Sequence, residues 1–282
     1  MKELVTAILI TSCAALAQED KTAIETKPST PVLKEKDLYV KSGWFHPFVR
    51  MPKFVINDQK AIWSSPVHTA TADIKWWAIF GGATAALIAT DRHIVQQLPN
   101  STTQVSVSNW TSRVGSAYTL IPLSAGFYFI GSKTENERLR ETGLIAFETL
   151  IDANLVGQAV KMVADRARPT ETDGSGHFER GPSRWNSSFP SGHAINSWAL
   201  ASVIAHEYPR TWVKIAAYGL ASTVVVSRVG ARRHFPGDVV AGAGIGWFMG
   251  DYLYGKRHNQ ELESRSKVGR VLDHVHLGAT IE

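Results

Sequence analysis

The sequence predicts an all-α protein, a bundle of six helices, and three observations predict it. Six apolar segments, at about 74–90, 118–131, 144–163, 194–206, 213–229 and 239–254, carry Ala, Leu, Ile and Gly at helical rather than alternating spacing. Short polar stretches separate them, and no internal repeat interrupts them. The composition is 44% hydrophobic and 20% charged, with 22 Gly and 12 Pro dispersed along 282 residues. That mixture excludes collagen-like, disulfide-scaffold and wholly disordered chains.

Ahead of the first apolar segment, residues 1–17 read as a secretory signal: Lys2 near the start, an apolar run to Leu16, then Ala15-Leu16-Ala17 before Gln18-Glu19-Asp20. The single cysteine, Cys13, lies inside it, so cleavage after Ala17 leaves no thiol; Ile10-Thr11-Ser12-Cys13 also resembles a lipoprotein lipobox. Residues 18–73 form a polar lead-in followed by a stretch, 44–63, in which Trp and Phe alternate with Arg and Lys. Such a stretch suits a membrane interface or an irregular segment packed on the domain surface. The helical domain is expected over 74–255 and a polar tail, holding His274 and His276 in solvent, over 256–282.

The segments 74–90 and 118–131 are apolar all round, as are helices central to a core or bathed in lipid. Segment 144–163 carries Glu148 and Asp152 four residues apart, on one face, expected as a polar face turned inward. The formal charge of +5 is compatible with an anionic partner and decides nothing alone.

Three short motifs carry chemistry. Lys161 and Arg168 are seven apart, so an unbroken helix ending before Pro169 would aim both cations from one face. An Arg fork and a Lys point charge are the two usual ways to hold phosphate oxygens. In Pro190-Ser191-Gly192-His193, Pro190 suits a first helical turn, and Ser191 and Gly192 leave free N–H groups at a helix start, an anion site. His193 there is placed to donate a proton to a leaving oxygen. In the third motif Arg228 ends the fifth segment, Pro236 opens the sixth, and Asp238 in the first turn reaches back toward His234. A carboxylate fixing one imidazole nitrogen leaves the other nucleophilic. Arg232 and Arg233 are read as surface charges outside the site.

In this order the motifs resemble the signature of the type 2 phosphatidic acid phosphatase family: Lys, six residues, Arg-Pro; Pro-Ser-Gly-His; Ser-Arg, five residues, His, three residues, Asp. The resemblance covers about 74–254 and implies a six-helix bundle of the kind this family shares with the vanadium haloperoxidases. It further implies a phosphate-ester hydrolase in which His234 forms a phosphohistidine, Asp238 orients it, and His193 protonates the leaving oxygen and then activates water. Lys161, Arg168, Ser191, Gly192 and Arg228 would hold the phosphoryl oxygens. No metal or other cofactor is expected, since no carboxylate or His grouping shows metal-ligand spacing in the sequence.

The expected substrate is a phosphorylated lipid or a small phosphate ester, with membrane lipids as surroundings and neither nucleic acid nor an obligatory protein partner. Phosphatidic acid, phosphatidylglycerol phosphate, prenyl diphosphates and phosphorylated lipid A all fit. A soluble periplasmic acid phosphatase, a haloperoxidase and a catalytically silent lipid-binding protein are the alternatives. The expected place is the bacterial cell envelope, at the inner membrane with a periplasm-facing site. The pair Lys256-Arg257 after the last segment favours a cytoplasmic C-terminus.

Overall fold

The structure, a computed structural model, describes residues 44–64, 71–171, 174–178 and 186–259. The expected signal, most of the polar lead-in and the tail histidines lie outside the described residues. The helices are α1 (His46–Ser64), α2 (Thr71–Gln97), α3 (Thr102–Arg113), α4 (Ala117–Lys133), α5 (Glu137–Ala164), α6 (Gly192–Glu207), α7 (Thr211–Gly230) and α8 (Pro236–Arg257). Among the described residues there is no strand. The six expected segments are α2 and α4 to α8.

Local chemistry sets several helix ends. Asn136 caps α5, its side chain accepting from Leu139 N at 3.0 Å, and Asp165 ends that helix in the left-handed region at φ 37°. Ser101 caps α3 in the same way, accepting from Gln104 N at 3.2 Å. Both side chains satisfy an amide that the first helical turn leaves without a partner.

The bundle is built around α6, where every residue from Ala194 to Val203 is buried. Ile195, Ala199 and Val203 meet Leu120 of α4, Ile145 and Leu150 of α5, and Met249 and Leu253 of α8. A ridge of Gly242, Gly246 and Gly250 lets α8 lie directly on α6. A Cβ at Gly242 would stand 2.6 Å from Ser191 O, one at Gly250 would stand 2.5 Å from Ser202 Cβ, and one at Gly246 would collide with Ile195 O. Small residues four apart permit this approach of two backbones. The consequence is functional: the starts of α6 and α8, which carry the second and third motifs, are held side by side.

The aromatic-basic stretch 44–63 is largely helical, with Trp44, Phe45, Val49, Ile56 and Trp63 left exposed. It is α1, and its Met51, Phe54 and Val55 are buried against Tyr128 and Leu144. Phe48 packs edge-on to Tyr128 and Phe147, each at 5.1 Å. The spacing 48, 51, 54, 55 is helical, and the interleaved Arg50, Pro52 and Lys53 hide it in the sequence. The expected inward polar face of α5 is present: Arg257 Nη2 donates to Glu148 Oε1 at 2.8 Å, and Gln59 Nε2 donates to Asp152 Oδ1 at 2.7 Å. Lys256 and Arg257 lie in the last turn of α8 and not beyond it. They belong to α8 and both bind Asp58, so they are part of an internal ion network and not a free basic flank.

Two stretches, Thr102–Lys133 and Thr211–Gly230, are long and apolar enough to cross a membrane. Several of their large apolar side chains point outward, among them Tyr118, Trp212, Ile215 and Leu220, while Leu120, Tyr128, Val224 and Val225 face the core.

Candidate active site

The first motif does not lie on one helix. The α5 helix stops at Ala164, and residues 165–168 run on without helical structure, so Lys161 and Arg168 reach their targets from different elements. Lys161 Nζ donates to Ser187 O at 2.7 Å. Arg168 donates from Nη2 to Asn186 Oδ1 at 2.9 Å and from Nη1 to Arg233 O at 3.0 Å. Both cations therefore brace the loops that carry the other two motifs.

Pro190 is not in a helical turn either, because α6 begins at Gly192 with Ser191 as its N-cap. Ser191 is buried, its N–H donates to Asp238 O at 2.9 Å, and its hydroxyl has no partner among the described residues. The N–H groups of Gly192, His193 and Ala194 belong to the first turn, where no intrahelical acceptor exists. At Gly192 an added Cβ would meet nothing within 4 Å, so the approach to these amides is open.

The third motif departs most from its expected arrangement. His234 is 2% exposed, and its Nδ1 lies 2.7 Å from the carbonyl of Ser188, against 3.7 Å from Asp238 Oδ2. A carbonyl only accepts, so Nδ1 carries the proton and Nε2 keeps its lone pair. Asp238 is held elsewhere: Oδ2 accepts from Ser188 Oγ at 2.5 Å and from Phe235 N at 2.9 Å, and Oδ1 from Arg166 Nη1 at 2.7 Å. Phe235, not His234, is the residue that the acid caps. Burial pushes the His234 imidazole down to about 4, with Asp238 opposing and Arg168 and Lys161 reinforcing the fall. The ring is neutral at pH 7.

Sequence reasoning missed four contributors. Arg166, fully buried, donates to Asp91 Oδ2 at 2.8 Å as well as to Asp238, and its guanidinium stacks 4.3 Å from the Phe235 ring. Asp91 in turn accepts from Gly237 N at 2.9 Å. Ser188 is the hinge between His234 and Asp238. The α3 helix, too polar to be noticed as an apolar segment, supplies Asn109, Ser112 and Arg113. Arg228 Nη1 donates to Ser112 Oγ at 2.9 Å, while its Nε has no partner among the described residues.

These elements enclose a cleft of about 730 Å³. Arg168, His193 and Arg228 line it, together with Arg113, Asn109, Ser112, Thr170, Glu171 and Asn186. So does Arg233, which had been set aside as a surface charge. His234 follows directly on Arg233, and Arg228, Arg168, Lys161 and His234 all lie within electrostatic range of His193. Four arginines against Glu171 make the lining strongly cationic. A dianion with polar substituents matches it in charge and hydrogen-bonding capacity.

The chain is similar to known proteins over part of its length. The chain is 33% identical over 110 residues to a lipid A 1-phosphatase of Rhizobium johnstonii, covering 38% of this chain and 44% of that protein. It is 41% identical over 66 residues to a lipid A 4'-phosphatase of Bacteroides thetaiotaomicron, covering 23% and 29% respectively. The matched stretches thus span less than half the length of these relatives. Among solved structures, the transmembrane PAP2 type phosphatidylglycerolphosphate phosphatase from Bacillus subtilis aligns with a TM-score of 0.43 at 22% identity, covering 73% of this chain and 95% of that one. The PAP2 superfamily model matches residues 142–261, which run from α5 through the second and third motifs to the end of α8. The likeness to the PAP2 superfamily lies in residues 142–261, the part of the chain that holds all three motifs.

Proposed function

We propose that this protein hydrolyses phosphate monoesters of a glycolipid of the lipid A class, through a covalent phosphohistidine at His234. The observation that carries the reading is the fixed tautomer of His234. With Nδ1 committed to the Ser188 carbonyl, Nε2 is an unprotonated nucleophile beside a cleft lined by arginines.

In the first step Nε2 attacks phosphorus, the P–N bond forms and the P–O bond to the sugar breaks, with His193 giving its proton to the departing oxygen. Burial and the surrounding cations hold the His193 imidazole down to about 3 in the free protein, and the negative charge of the bound phosphate raises it so that it carries the proton it gives. In the second, His193 takes a proton from water, the water oxygen attacks phosphorus, and the P–N bond breaks to release inorganic phosphate. Arg168, Arg228 and the first amides of α6 face the equatorial oxygens, with Lys161 behind them. Positive charge placed there is the main demand of phosphoryl transfer. Asp238 acts through Ser188 and the Phe235 amide, holding the loop that fixes the imidazole, and so serves as a positioning residue.

The lipid A class is favoured over other lipid phosphates by the relatives, named as lipid A phosphatases. The polar cleft wall of Asn109, Thr170, Glu171 and Asn186 also suits a sugar ring better than a bare acyl glycerol. The outward apolar faces of Thr102–Lys133 and Thr211–Gly230 support a place in the bacterial inner membrane, and the site is proposed to face the periplasm.

The test supplies the detergent-solubilised protein with bis-phosphorylated lipid A, phosphatidic acid and a prenyl diphosphate, and follows phosphate release and product mass. Loss of one phosphate from lipid A at least tenfold faster than from the other two is expected. Equal rates on all three would overturn the lipid A assignment, and no release from any would overturn the phosphatase reading.

A further inference from the structure

We propose that Glu141, Glu207 and His258 form a structural site for a divalent transition-metal ion of the zinc type, clamping the ends of α5, α6 and α8 that lie away from the phosphate cleft.

The three residues come from near the start of α5, the last position of α6 and the position just beyond α8. The same helices carry Lys161, His193 and Asp238 near their other ends. At 1.5 Å per residue, His193 and Glu207 are separated by about 21 Å along α6. The cluster is thus remote from the phosphate chemistry while sharing its scaffold.

Ligand atoms of the trio lie within 4.8 Å of one another. His258 Nδ1 stands 3.0 Å from Glu141 Oε1 and 3.7 Å from Glu207 Oε2. A tetrahedral ion with bonds of about 2.0–2.1 Å sets its ligand atoms about 3.3 Å apart, between these two values. Two carboxylate oxygens and one imidazole nitrogen make a mixed donor set, suited to zinc and its neighbours and not to an all-oxygen calcium or magnesium cage.

A second observation concerns the hydrogen bonds of these two carboxylates, which share the His258 imidazole. Glu207 is 1% exposed, yet neither of its oxygens accepts a hydrogen bond among the described residues, and Glu141 Oε2 is equally without a partner. The nearest cation to Glu207 other than His258 is Arg138, whose Nε is 3.4 Å from Oε1. Glu141 Oε1 is better provided, accepting from Asn259 N at 2.7 Å. A carboxylate buried at a helix C-terminus faces the negative end of the helix dipole and lacks the hydrogen bonds that would offset its desolvation. A divalent cation meets both costs at once.

The test measures metal and stability in the full-length protein, without reference to its activity. Elemental analysis after purification from zinc-supplemented cells is expected to give about one zinc per chain. Chelator-stripped protein should regain at least ~3 °C in Tm on adding Zn²⁺, and Co²⁺ should give visible absorption bands of a tetrahedral centre. Glu207→Gln, or Glu141→Gln should the first fail to fold, is expected to abolish both responses, while Glu148→Gln and His234→Ala keep them. Stripped wild-type protein that shows neither response, or a Glu207→Gln variant that binds as well as wild type, would overturn the site.

Discussion

His234 Nδ1 stands 3.7 Å from Asp238 Oδ2, and Ser188 fills the relation between them, accepting from the imidazole through its carbonyl and donating to the carboxylate through its hydroxyl. The acid and the histidine are coupled through one loop residue. Ser188→Ala keeps the carbonyl and removes only the hydroxyl. It is expected to lower kcat about tenfold with KM nearly unchanged, the effect of a lost hydrogen bond worth about 1–1.5 kcal/mol on positioning. Steady-state kinetics checks this, and an unchanged kcat would show that Asp238 needs no relay through Ser188.

The pH behaviour of His234 follows from its burial. Its ordinary value of 6.5 falls to about 4, so the ring stays neutral and nucleophilic throughout the neutral range. In the unfolded chain it takes up a proton near 6.5, which the native state refuses until about 4. Between those values stability therefore declines as pH falls. Histidine-selective carbon-13 spectra, with His234→Gln as the assignment control, should show one ring titrating near 4. A His234 signal titrating near 6.5 would contradict the buried, neutral nucleophile.

Arg166 joins Asp91 and Asp238 with both carboxylates fully buried. Arg166→Met leaves two uncompensated charges and is expected to destabilise the protein by about 3–5 kcal/mol. Denaturant unfolding in detergent measures it. A loss below ~1 kcal/mol would mean that the triad is not the brace between α2, the loop after α5 and α8.

What the sequence disclosed and what it hid divide along physical lines. Helical periodicity revealed α2 and α4 to α8 because each buries an apolar stripe or meets an apolar surround. It missed α3, whose Thr102–Arg113 is polar on most sides, and the helix of α1, where Pro52 and basic residues mask the stripe of Phe48, Met51 and Val55. Arg168, His193 and Arg228 were legible as a set because each stands near the end of a segment, and the structure brings them to one cleft. Arg166 was hidden between the two recognised cations. Its role depends on Asp91 and Asp238, which are 75 and 72 residues away in the chain, so no local pattern announces it. The trio of Glu141, Glu207 and His258 is dispersed in the same way, joined only once three helices align their ends.

The most direct test of the account is to trap the covalent intermediate. Protein given ³²P-labelled lipid A and quenched in alkali should retain acid-labile, alkali-stable label on a peptide containing His234, and His234→Ala should retain none and release no phosphate. Label on His193 instead, or full phosphate release by folded His234→Ala, would contradict it.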